Sequence, residues 1–194
     1  SVRRAQDQYY GRAVNIAGAP ERDPLTQDEA EFIAERDSFY LGSISETGWP
    51  YIQHRGGPQG FLRVVNEKML AFADYKGNRQ LLTTGNVSVN NRVALFLMDY
   101  QNRARLKILG HARVEDARVH PDLVAQLADP KMQSTVERLV FIDVVSFDWN
   151  CPKYITPRYS IEEVEELAGS LRTRIAELES ELRAARAGAE SSPA

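Results

Sequence analysis

Between residues 39 and 149 the chain repeats one pattern: a short run rich in β-branched and aromatic side chains, then a tight polar turn. Strand side chains alternate between two faces, so runs of this kind bury an apolar face only by pairing with one another. Phe39-Tyr40-Leu41-Gly42-Ser43-Ile44 reads as a strand, Glu46-Thr47-Gly48 as a turn, and Trp49-Pro50-Tyr51-Ile52-Gln53-His54 as the returning strand. A second hairpin joins 61–65 to 69–73 across Asn66-Glu67-Lys68. The segment 91–99 is continuous enough in apolar residues to be buried, 105–114 alternates like a half-exposed strand, and 140–149 closes the series. Six or seven antiparallel strands with tight turns predict a small barrel rather than a parallel α/β sheet.

Helical signals surround this core. Thr26-Gln27-Asp28-Glu29 forms a capping-box sequence ahead of a helix to about Arg36. The glycine-bounded stretch 77–85 predicts a short helix and loop, and 121–128 a surface helix. Near the C-terminus Ile161, Val164, Ala168, Leu171, Ile175, Leu178 and Leu182 fall at three- and four-residue steps, an a/d seam among Glu and Arg. Such a helix covers apolar surface either on its own barrel or in a two-stranded coiled coil. The domain plan is therefore an N-terminal arm (1–25), a barrel domain (26–158), a heptad helix (159–186) and a disordered tail (187–194).

Composition narrows the function. A formal net charge of −3 gives no global attraction to nucleic acid or to an anionic membrane. The single cysteine, Cys151, rules out an intramolecular disulfide and points to a reducing, cytoplasmic setting. His54, His111 and His120 lack metal-ligand spacing, so no metal site is expected. No nucleophile elbow, Walker loop or dinucleotide fingerprint is present.

What remains is a layout suited to an anionic cofactor. His54-Arg55-Gly56-Gly57-Pro58 and Asp74-Tyr75-Lys76-Gly77-Asn78-Arg79 each follow a strand and each set a cation beside glycine, a combination that can hold phosphate against backbone amides. Arg103, Arg105 and Lys107 fall on one face of the strand that follows, either as a cationic row facing a ligand or as a solvated face paired with surface acids.

The order of these segments resembles the FMN-binding split barrels of the pyridoxamine 5′-phosphate oxidase-like superfamily. In that family the first cofactor segment follows a Gly-x-Pro turn; here Gly48-Trp49-Pro50 precedes Gln53, His54 and Arg55, with Gln53 and Arg55 on one face and His54 on the other. The second segment resembles Phe72-Ala73-Asp74-Tyr75-Lys76-Gly77-Asn78-Arg79, bringing in Ala73, Asp74, Asn78 and Arg79, the last at a phosphate-binding lysine position. Arg105 stands five residues before Gly110, where the family places a flavin-contacting polar residue, and Arg103 adds charge. Asn150-Cys151-Pro152-Lys153-Tyr154-Ile155 resembles a tail that reaches the flavin pocket, implicating Asn150, Cys151 and Lys153.

The resemblance implies a six- or seven-stranded antiparallel split β-barrel with flanking helices. It further implies FMN as cofactor, a homodimer with flavin between subunits, and oxidoreductase activity on a small molecule, with a nicotinamide donor. Pro58 replaces the family's substrate-phosphate lysine, Gln53 replaces an arginine, and the C-terminal Arg-x-His signature is missing, so pyridoxamine phosphate is not the expected substrate. No residue stands out as a general base. The alternative is a non-catalytic module that holds flavin or heme, the latter requiring an axial histidine facing the cleft.

Overall fold

The computed structural model describes residues 2–11, 23–149 and 152–190. Two hairpins form where the alternation predicts them: β1 (Ser38–Ile44) with β2 (Pro50–Gly56), and β3 (Arg63–Asn66) with β4 (Met69–Tyr75). β5 (Arg92–Asp99), β6 (Ala104–Asp116) and β7 (Val136–Trp149) follow as a meander. All pairings are antiparallel, and the seven strands make one sheet in the order β2-β1-β5-β6-β7-β4-β3. The edges β2 and β3 are not hydrogen-bonded to each other. The sheet is therefore a split barrel, mainly β, and not a closed one.

Its curl depends on the two longest strands. β6 and β7 slip register between Leu109 and Gly110, the local bend that a β-bulge produces. Gly110 lies so close to β7 that a Cβ there would stand 2.6 Å from the Ile142 side chain and 2.7 Å from the Asp143 carbonyl. The concave face holds the core, in which Phe39 stacks on Phe61 and meets Phe72 edge-on, each at 5.5 Å between ring centroids. Leu41, Leu95, Leu97, Leu106, Ile108 and Ile142 fill the rest. Each such side chain contributes about 1.5–3 kcal/mol by leaving water. β5 is buried less evenly than the sequence predicts: Val93, Leu95, Leu97 and Asp99 are buried, Phe96 and Met98 half-buried, and Arg92 and Ala94 exposed, because alternate side chains point away from the core.

Helices close the open ends. In α2 (Gln27–Ala34) the Glu29 carboxylate accepts from the Thr26 amide at 2.9 Å, completing the capping box, and Ile33 enters the core. Glu29 also accepts from the Trp149 indole at 2.6 Å, tying α2 to the end of β7. Burial pushes this carboxyl up, but its hydrogen bonds from Thr26 and Trp149 outweigh that and hold it below the ordinary range. The arm contains a helix, α1 (Val2–Tyr10). Residues 23–25 already belong to the barrel, since Asp23 and Leu25 donate to the Val145 and Glu67 carbonyls and Leu25 is buried.

The short helix expected at 77–85 lies further on, as α3 (Leu82–Val89), because the preceding residues turn through left-handed backbone at Arg79 and Leu81. α4 (Pro121–Leu127) starts with proline at its first turn and packs Leu127 with Ala71, Ala73, Leu139 and Phe141 of β4 and β7. A second unit consists of Tyr100–Arg103 with the chain from Tyr154 onward. Its helix α5 (Ile161–Glu190) continues past 186, where the sequence pattern ends it. Ser160 and Glu163 cap α5 reciprocally, the Ser160 amide donating at 2.6 Å to the Glu163 carboxylate and the Glu163 amide at 3.2 Å to the Ser160 hydroxyl. Among the described residues no helix is long and apolar enough to cross a membrane.

Candidate functional site

β2 ends the sheet on one side, and its inward face carries Tyr51, Gln53 and Arg55 toward the split. β4 comes to the same place from the other side and delivers Asp74 and Tyr75. Arg55 donates to Asp74 at 2.6 Å, and Arg138, directly opposite Asp74 in the β4–β7 register, donates to its other oxygen at 2.8 Å. Asp74 is 7% exposed, so a buried carboxylate sits between two guanidinium groups. Removal from water penalises charges, and this arrangement offsets the penalty by pairing them.

The loop after β4 forms the rim. Arg79 has φ of 59° and Leu81 58°, a conformation that non-glycine residues adopt rarely and that turns the chain sharply into α3. Arg79 donates to Glu137 through Nε and Nη2 at 3.1 and 2.8 Å. Those hydrogen bonds, with the charges of Arg79 and Arg138, hold the Glu137 carboxyl below its ordinary range. Asn78 accepts from the Gln80 amide, bracing the turn. α3 is anchored by Asn86, which donates to Ser43 at 2.9 Å, and by Thr83, which donates to the Gln53 side chain at 2.8 Å.

These groups enclose a cavity of about 190 Å³, in which Arg55, Arg79 and Arg138 face a single carboxylate, Asp74. A wider cleft of about 590 Å³ shares Arg79, Leu81, Thr84 and Arg138 with it and extends toward Glu115, Asp116 and Glu137. Two buried polar atoms of residues that line the smaller cavity, Arg55 Nε and Tyr75 Oη, have no hydrogen-bond partner among the described residues. Both belong to groups that donate, and a buried donor left unpaired costs about 1–3 kcal/mol. Asp74 and Glu137 offset only part of the charge of the three guanidinium groups gathered here, and an anionic, oxygen-rich group such as a phosphate is the chemistry that suits the remainder.

The structure brings Gln53, Arg55, Asp74, Asn78 and Arg79 into one cavity. Other expected residues lie elsewhere. His54 points to the convex face, edge-on to Tyr40 at 5.6 Å, because odd and even positions of β2 face opposite ways. The Ala73 side chain is buried in the apolar cluster under α4. The row of three cations is not formed: β6 begins at Ala104, Arg103 lies in the preceding turn with φ of 55°, and it belongs to the second unit. Arg105 lies over the Phe96 ring at 5.3 Å and Lys107 pairs with Asp148, neither of them lining the cavity. Lys153 is exposed, and Asn150 and Cys151 lie outside the described residues.

Arg138 and Thr83 line the cavity although the sequence does not single them out as ligands, and Tyr51 and Tyr75 line it with them. The signal for Arg138 is its place opposite Asp74, which requires the strand register. Of the histidines, His111 contacts Asn91 and His120 contacts Glu115 at 2.9 Å, and none of the three lines either cleft. Among the described residues no group of three or more His, Cys, Asp or Glu could hold a metal ion.

A split barrel with a cationic cavity at its seam defines the class, and comparison with known proteins gives the family. The family model described as pyridoxamine 5′-phosphate oxidase matches residues 25–141, so the chain belongs to that family. A Lactobacillus delbrueckii protein named for pyridoxamine 5′-phosphate oxidase superposes with a TM-score of 0.51 at 16% identity, over 65% of this chain and 94% of that one. The H111A form of HupZ from Group A Streptococcus gives 0.50 at 12% identity, over 64% and 98%. An FMN-binding protein from Syntrophomonas wolfei gives 0.45 at 8% identity, over 63% and 83%. At these identities the likeness is one of fold. Comparison with curated protein sequences finds no match.

Proposed function

We propose that the seam cavity binds the phosphate end of FMN and that the protein is a cytoplasmic, FMN-dependent oxidoreductase acting on a small molecule other than pyridoxamine phosphate. The observation that carries this reading is the convergence of Arg55, Arg79 and Arg138 on one cavity at the seam, whose lining holds a single carboxylate, Asp74. Arg55, Arg79 and Arg138 hold the phosphate, Asn78 and Thr83 shape its rim, and Gln53 positions Thr83. The bound flavin supplies electron and hydride exchange with a nicotinamide donor and the substrate. The chain's own part is to bind, orient and exclude water. Asp74 is held between two arginines, so it is not placed to act as a general base. Pairing of two chains around each flavin belongs to the same reading.

Purified protein tests this directly. It should be yellow, release FMN identifiable by mass spectrometry, and bleach when a nicotinamide donor is added. A yellow protein that no donor reduces would favour a flavin-holding module. Recovered heme would overturn the proposal, although no histidine lines the described clefts.

A further inference from the structure

Six apolar residues of the α5 seam, Ile161, Val164, Leu171, Ile175, Leu178 and Leu182, are between 47% and 73% exposed. They recur at heptad a and d positions along a helix of 30 residues, about 45 Å long. A seam of that length left in water forfeits the apolar burial from which most helical stability comes. We propose that it pairs with α5 of a second copy of this chain, as a parallel, in-register, two-stranded coiled coil.

Residue type and charge both select this arrangement. Isoleucine stands at a positions 161 and 175, with Ala168 and Leu182 at the others, and leucine at d positions 171 and 178, with Val164 at the third; the Ile/Leu pairs are the combination that favours two strands. In a parallel pair each g residue faces the e residue five places on, which sets Arg174 against Glu179 of the second copy, twice by symmetry. A slip of one heptad would set Arg174 against Arg172 and Glu181 against Glu179, both repulsive. An antiparallel pair that matches the charges must be staggered, leaving Ile161 unpaired. Within one chain Arg174 contacts Glu177 at 2.9 Å and Arg183 contacts Glu179 at 4.0 Å. These pairs are exposed and weak, so they do not compete with an interhelical one.

The test uses the full chain with Cys151→Ser, so that one introduced cysteine reports on α5. Under mild oxidation Leu171→Cys and, separately, Leu178→Cys should form disulfide-linked dimers at least about tenfold faster than Ser180→Cys, an outward f position. Arg174→Glu should slow this cross-linking, and Arg174→Glu with Glu179→Arg should restore it. If only intrachain pairs mattered, the double variant would be worse than the single one, since it sets the introduced carboxylate beside Glu177 and the introduced guanidinium beside Arg183. Equal cross-linking at all three cysteine positions, or failure of the charge swap to rescue, would overturn the proposal. Antiparallel pairing, read as cross-linking of a Leu171→Cys chain to a Leu182→Cys chain but not to itself, would do the same. The readout is independent of flavin, and holds for protein with or without FMN.

Discussion

Arg55 Nη1 lies 2.6 Å from Asp74 Oδ1 and so clips the edge strand β2 to β4, five places away in the sheet order. No backbone ladder spans that gap. The ion pair therefore holds the split of the barrel together at the point where the cationic cavity opens. Arg138 completes the clamp from β7.

Asp74→Asn should lower the unfolding free energy by about 3 kcal/mol, because it leaves the half-buried Arg55 guanidinium without its counter-charge and Arg138 with Glu137 alone. Urea unfolding measures the loss. Added inorganic phosphate should recover more stability in this variant than in the wild type; equal recovery would separate the cavity from anion binding.

Arg79→Ala should weaken FMN binding about 10- to 100-fold, the worth of one or two charge-assisted hydrogen bonds. The Arg79 side chain is 62% exposed, so the melting temperature should hardly change. Glu137→Gln removes the carboxylate that competes with phosphate for Arg79 and should tighten binding. Fluorescence titration of FMN checks both, and a loss of affinity in Glu137→Gln would contradict the assignment.

Glu29 supplies a pH dependence. Its folded carboxyl titrates below the ordinary value of 4.5, so its stabilisation is fully present above that value and is lost as pH falls through the lowered folded one. Glu29→Gln should therefore cost a constant amount, about 1–3 kcal/mol, at neutral pH, and the gap from wild type should close under acid. Denaturation curves across the acid range reveal it; a gap that widens as pH falls has the wrong sign.

Gly110→Ala should destabilise by about 2 kcal/mol or more, since the new methyl group meets the Asp143 carbonyl of a paired strand, which cannot move aside cheaply. Gly85→Ala, where nothing lies within 4 Å of the added Cβ, is the control.

The strands are legible because burial on one face forces a period of two, and Gly48 and Asn66 mark the two hairpin turns. The apolar run of β7 starts at 140, yet the strand begins at Val136, and that shortfall hides Arg138. Arg138 meets Asp74 through a register 64 residues apart in sequence, which no local pattern encodes. α3 is displaced because left-handed backbone at Arg79 and Leu81 is not signalled by residue type. Alternation correctly puts Gln53 and Arg55 on one face and His54 on the other. It misjudges Arg103, which lies in the turn one residue ahead of the strand's start at Ala104.

The central claim is that the seam arginines recognise the phosphate of a flavin nucleotide. The most direct measurement compares FMN with riboflavin, which differ only in that phosphate, on the ligand-stripped full chain. The account predicts FMN binding at least about 100-fold tighter, from two or more charge-assisted hydrogen bonds, with the preference abolished in Arg55→Ala with Arg79→Ala. Equal affinity for the two in the wild-type chain would contradict it.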